Sequence, residues 1–178
     1  TVILVHVANL PSFLGRTIYY SPVDGKNLNR MFPGNAQGTL SQRIAHQITT
    51  KVIDQADYLI DLHSGDGNEA LRPYAYMPVT GDAGFDQKIK GLAVAFGLDH
   101  IVIDTGPQHA SGPSLFTDQT ALVRGIPAIT TETGQSGSND PHWSGLATSG
   151  IWNVLRHLRM VPAAEVPNPG ITWLTDYH

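Results

Sequence analysis

The chain has 178 residues, 41% of them hydrophobic and 15% charged, with a formal net charge of −4. That length supports one domain with a hydrophobic core, and the acidic balance excludes the basic surface that nucleic acid or anionic membranes require. Cysteine is absent, which excludes disulfide scaffolds, zinc ribbons, iron–sulfur sites and cysteine nucleophiles. Along the chain, strand-like and helix-like segments alternate, the pattern of a three-layer α/β domain with a mixed sheet flanked by helices. Val2–Val7 is short, apolar and rich in β-branched residues, and reads as a strand. Residues 9–38 are dense in Gly, Pro and Asn and read as a long loop, which is more often functional than not. Thr39 and Gln42 fit a capping box, followed by a helix with Ile44, Ile48 and Val52 on one face.

Tyr58–Leu62 predicts a buried strand that stops at His63, and Ser64–Gly67 a turn. Residues 71–79 read as a further strand, with Pro73 at its start or at a sheet edge. Phe85, Ile89, Leu92 and Phe96 share a helix face that Gly97 closes. His100–Asp104 is a strand, residues 115–124 a short helix ended by Gly125, and Ile126–Thr131 a strand running into Glu132. Asp140 and Pro141 offer an N-cap and first-turn pair for a long amphipathic helix through Leu158. Residues 161–169 contain three prolines and read as a linker to a terminal strand fragment at 171–177. There is no internal repeat, no dinucleotide fingerprint, no phosphate-binding Gly-Lys-Ser/Thr loop and no Gly-x-Ser-x-Gly elbow.

Three polar clusters are candidates for chemistry, although Asn29-Arg30 and Glu132, each taken alone, read equally as a solvated turn-favouring loop and an exposed loop glutamate. Asp61 and His63 flank Leu62 at a strand end, so both point to one face, where His63 is a rigidly held metal ligand or a strand-end histidine bonded to a carbonyl. Asn29 and Arg30 sit in the long loop, where an arginine fork matches a carboxylate. Glu132 follows an apolar strand and precedes a Gly/Ser-rich loop, a placement suited to a general base. Arg16, Asp66, His109 and His142 lie near these segments without an assigned role, while His46 and His157 read as ordinary helix residues.

Taken in order, Ser21–Gly34 with its Asn27-Leu28-Asn29-Arg30 core, Gly38–Ala45, Ala56–Gly65 and Glu132-Thr133-Gly134 resemble the zinc-dependent succinylglutamate desuccinylase/aspartoacylase family, related to the zinc carboxypeptidases. The likeness covers roughly residues 5–160. It implies a zinc-carboxypeptidase-like fold and a hydrolase that removes the acyl group from a small N-acyl amino acid. His63 resembles the family's third zinc ligand, Asn29 and Arg30 the pair that binds the substrate carboxylate, and Glu132 the general base.

The family takes two further ligands from an upstream His-x-x-Glu, a motif this chain does not contain. Some members carry an arginine eight positions before the one matched by Arg30, where this chain has Pro22 and an out-of-register Arg16. The resemblance therefore implies an N-terminally incomplete catalytic domain over 1–161. Residues 162–178 would be a linker and the start of a missing β-rich domain. One zinc ion is expected in the full-length protein and weak or no zinc in this chain. The alternatives are a carboxypeptidase acting on short peptides, whose terminal carboxylate the same pair would hold, and a non-catalytic carboxylate-binding fragment. The expected setting is cytoplasmic, without nucleic-acid or membrane partners; a homo-oligomer is left open.

Overall fold

A computed structural model describes residues 1–106, 116–166 and 170–175. Five strands form one mixed sheet in the order β1-β4-β2-β3-β5: β1 (Leu59–His63), β2 (Tyr74–Pro78), β3 (His100–Asp104), β4 (Ala128–Glu132) and β5 (Thr172–Leu174). β1 runs parallel to β4, β4 antiparallel to β2, and β2 parallel to β3 with Ala75 paired to Ile101. The helices are α1 (Leu10–Gly15), α2 (Leu40–Lys51), α3 (Ala83–Phe96), α4 (Thr117–Leu122) and α5 (Pro141–His157), with 3-10 turns at Leu28–Arg30 and Ile53–Gln55. This is the expected mixed sheet with flanking helices.

Sequence periodicity explains the core. Ile89, Leu92 and Phe96 turn one face of α3 inward, where they pack with Ile101 of β3, Ile129 of β4 and Val154 of α5. Asp82 starts α3 by accepting from the Gly84 and Phe85 amides, and Gly97 ends it in the left-handed region at φ 94°. Asp140 caps α5 through the His142 amide, with Pro141 in the first turn. At α2, Gln42 accepts from the Thr39 amide as the capping box requires. The fully inward stripe of α2, however, is Ser41, Ala45 and Thr49; Ile44 and Ile48 pack beside it. Small side chains let this helix approach closely, which hydrophobicity alone does not reveal.

Three expectations are corrected. Residues 2–7 form no strand and are exposed: their β-branched side chains favour extended backbone, but no described strand hydrogen-bonds to them. The segment 9–38 is not structureless, since Pro11 in the first turn and the Asn9 cap support α1 while Asn27 caps the turn at Leu28–Arg30. The strand expected to be buried at Tyr58–Leu62 is instead, among the described residues, the terminal strand β1, with Tyr58 and Leu62 exposed, while Pro73 stands at the start of β2, one of the two places expected for it. Thr172–Leu174 adds a parallel edge to β3, and Lys90 of α3 holds its ammonium over the Trp173 ring at 5.2 Å.

Candidate functional site

Register builds the site. His63 lies beside Glu132 in the parallel β1–β4 pair, and Glu132 lies opposite Tyr74 in the antiparallel β4–β2 pair. Directly paired residues present side chains to one face, so His63, Glu132 and Tyr74 form a row across three strands. Two residues earlier along β1, Asp61 shares that face. Asp61 Oδ2 stands 3.1 Å from His63 Nε2, and Glu132 Oε1 stands 4.0 Å from His63 Nδ1. Beyond the strand ends, the Gly65 amide donates to the Gly134 carbonyl and the Thr133 amide to the His63 carbonyl. These bonds hold the two following loops together.

The same groove, about 1960 Å³ in volume, is lined by Asn29, Arg30, His63 and Glu132, together with Asp66, Glu69 and Tyr76. The Asn29–Arg30 turn reaches it because Asp24 fastens the long loop to α2: its carboxylate accepts from the Ser41 amide at 2.7 Å and the Ser41 hydroxyl at 2.8 Å. Burial pushes the Asp24 carboxyl up, but the two Ser41 donors overcome this and hold it well below the usual carboxylate range. Asn27 Oδ1 then accepts from the Asn29 amide and fixes the turn. Asn29 Oδ1 is itself filled by the Thr117 amide and hydroxyl, leaving its Nδ2 as the donor for a ligand.

The electrostatics separate the two central groups. Burial opposes protonation of His63, but the hydrogen bond and charge of Asp61, with the charge of Glu132, raise it to about 9. Burial raises the Glu132 carboxyl, the His63 charge opposes that, and Glu69 and Asp61 reinforce it. Glu132 Oε2 is buried without a hydrogen-bond partner among the described residues, leaving an acceptor available for a ligand or water. Tyr74 and Tyr76 face each other with their hydroxyl oxygens 3.1 Å apart, and burial followed by this hydrogen bond raises Tyr74. Across the groove the Tyr19 hydroxyl donates to Glu69 at 2.7 Å.

As a metal ligand His63 has a suitable setting: a carboxylate on one ring nitrogen orients the imidazole and leaves the other for a cation. A cation must displace the proton that the flanking carboxylates now hold. Among the described residues, however, no group of three metal-ligating side chains converges. They fit one ligand of a zinc ion, not its whole shell.

Of the unassigned residues, Asp66 lines the groove, Arg16 is exposed at the end of α1, and exposed His142 stacks edge-on against Trp143 on α5. His109 lies outside the described residues. Sequence reasoning missed Tyr74, Tyr76, Phe116 and Thr117. The alternation of two tyrosines in β2 is a visible signal for the first pair. Nothing local marks the second pair, of which Thr117 reaches Asn29 across 88 positions of sequence and Phe116 lies against Arg30.

The profile of the succinylglutamate desuccinylase/aspartoacylase catalytic domain matches residues 1–158. The chain is 33% identical over 170 residues to the N-alpha-acetyl-L-2,4-diaminobutyric acid deacetylase of Halomonas elongata, covering 94% of this chain and 48% of that protein. Among solved structures, the product-bound ectoine utilization protein EutE (DoeB) of Ruegeria pomeroyi superposes with a TM-score of 0.80 at 26% identity, over 92% of this chain and 48% of that one. A succinylglutamate desuccinylase/aspartoacylase from Rhodobacter sphaeroides gives 0.79 at 28% identity, over 89% and 45%. The chain thus spans about half the length of these relatives.

Proposed function

Because the chain belongs to the succinylglutamate desuccinylase/aspartoacylase family, we propose that the protein hydrolyses the amide of an N-acyl amino acid, with an N-acetylated diamino acid as its leading substrate. The observation that carries this reading is the register that sets His63 beside Glu132, on a groove that Asn29 and Arg30 also line. Arg30 receives the substrate carboxylate in its guanidinium fork, and Asn29 Nδ2 adds a donor. That grip orients the scissile amide toward the strand ends. Glu132 accepts a proton from the attacking water and returns it to the departing nitrogen, a role that its raised carboxyl and buried acceptor oxygen suit. A zinc ion, with His63 as one ligand, would supply a water of lowered pKa and polarise the acyl carbonyl. Asp66 and Glu69 line the same groove and suit the free ammonium of a diamino acid.

The test is acetate release from N-acetyl-L-2,4-diaminobutyrate by the intact protein, with and without zinc, beside a dipeptide control. Zinc-dependent acetate release is expected. Cleavage of the dipeptide alone would replace this reading with a carboxypeptidase. Arg30-dependent binding without any hydrolysis would replace it with a carboxylate-binding protein.

A further inference from the structure

The Asn29–Arg30 turn is tied to the start of α4 by two contacts of different kinds. The Thr117 amide and hydroxyl donate to Asn29 Oδ1 at 2.9 and 3.0 Å. The Arg30 guanidinium carbon lies 4.4 Å from the centroid of the Phe116 ring. α4 in turn packs on β1 and β4, the strands that end at His63 and Glu132. One short helix therefore links the turn that carries Arg30 to the strands that carry the other two groups.

The chemistry of both contacts is directional. Two donors on Asn29 Oδ1 settle which way its amide faces. A ring beneath the guanidinium plane leaves the N–H edges for a ligand, and one of these is used by the Arg30 Nη1 bond to the Asn29 carbonyl at 2.8 Å. Neither contact touches the proposed path of the amide; both fix where the carboxylate must sit relative to Glu132.

Resting on the deacylase reading, we infer that Phe116 and Thr117 are positioning residues that set the span from carboxylate anchor to Glu132, and so select N-acyl α-amino acids over their β-homologues. A β-amino acid places one more carbon between carboxylate and amide. With the anchor held, that carbon moves the amide out of line; with the anchor loose, the longer substrate loses less.

The experiment compares kcat/KM for N-acetyl-L-2,4-diaminobutyrate and for its homologue with one extra backbone carbon. The intact protein is measured beside Thr117→Val, Thr117→Ser, Phe116→Leu and Phe116→Tyr. Losing one hydrogen bond or the ring face lowers kcat/KM for the α-substrate by roughly 3–10-fold, leaves the β-homologue within about twofold, and so narrows the preference. The Ser and Tyr variants, which retain the hydroxyl and the ring, keep the parental preference. Equal losses on both substrates indicate a merely structural role and overturn the inference.

Calorimetric titration with N-acetyl-L-2,4-diaminobutyrate separates this inference from the reading beneath it. Weaker binding by Thr117→Val in a protein that hydrolyses nothing removes the deacylase reading and leaves the brace standing. Unchanged affinity in both Thr117→Val and Phe116→Leu overturns the brace whatever the turnover. Absence of binding by the parent overturns both.

Discussion

At the scale of single residues, the charges around Glu132 decide what its removal does. It is largely buried, with one oxygen unpartnered and the other 4.0 Å from His63. On the proposed mechanism Glu132→Gln keeps the volume but cannot accept and return a proton, so kcat is expected to fall by about 10²–10⁴-fold. Binding of the proposed substrate, N-acetyl-L-2,4-diaminobutyrate, is expected to persist. On the proposed mechanism Arg30→Ala is instead expected to lower affinity and turnover together, because it would remove the anchor that orients the amide. Steady-state kinetics with parallel metal analysis of the intact protein distinguish the two patterns; near-parental kcat in Glu132→Gln with metal retained removes the proposed base.

Asp24 offers a test of stability that does not depend on catalysis. Its folded carboxyl lies below the ordinary carboxylate value, because the Ser41 donors outweigh burial. The folded state therefore binds fewer protons there than the unfolded chain does. The Asp24 contribution is fully present above the ordinary value of 3.8 and is lost as pH falls through the depressed folded value. Asp24→Asn, which deletes the charge but not the shape, lowers stability at neutral pH by roughly 1–3 kcal/mol. It also flattens the acid side of the stability profile. Denaturant titrations of parent and variant between neutrality and strong acid read both effects, and parallel profiles would show that Asp24 is not the fastening.

At the scale of elements, α3 and α5 meet without room for a methyl group. A Cβ at Gly150 would overlap the Phe96 ring, and Phe96 is itself fully buried. Gly150→Ala gains helix propensity of up to about 1 kcal/mol, but overpacking costs roughly 1–3 kcal/mol. Net destabilisation is expected, and Phe96→Leu in the same chain should recover part of it. Thermal unfolding of the single and double variants checks this; a stabilised Gly150→Ala would mean that the two helices can separate at little cost.

Elements like α3 were legible because cap, periodicity and closing glycine agree on the same boundaries. β1 and β4 were legible for a related reason: each opens on an apolar pair, Leu59-Ile60 or Ala128-Ile129, and ends on a group with chemistry, His63 or Glu132. What local pattern could not supply is pairing. Nothing in Tyr74–Pro78 says that β2 enters antiparallel to β4 and thereby sets Tyr74 opposite Glu132. Likewise His63, Arg30 and Glu132 could be singled out one by one. The contacts of Asn29 with Thr117 and of Arg30 with Phe116 depend on how the layers close, which is a long-range property of the fold.

At the scale of the whole molecule, the segment before β1 is anomalous in its hydrophobic exposure. Val2 and Leu4 are 61% and 60% exposed, Phe13 and Leu14 of α1 are more so, and Ile3 and Ile18 are also open. The groove passes residues 1–6 and the outer edge of β1 before reaching His63. Among the described residues β1 is the terminal strand of the sheet on that side, so apolar side chains and a sheet edge share one region. Contiguous apolar surface of this kind normally marks an interaction face or an aggregation hazard.

The 178-residue chain alone should therefore self-associate as concentration rises and bind an apolar dye while folded. The double variant Val2→Thr with Leu4→Ser should reduce both effects without changing the unfolding midpoint by more than a few degrees, because these side chains contribute little burial. Sedimentation velocity across a concentration series, with dye fluorescence and thermal unfolding on the same samples, reads the three quantities. A monomeric, dye-silent parent chain would show that this surface is covered in solution by the molecule itself. A double variant that unfolds much earlier would show that residues 2–4 pack against the fold more tightly than their exposure indicates.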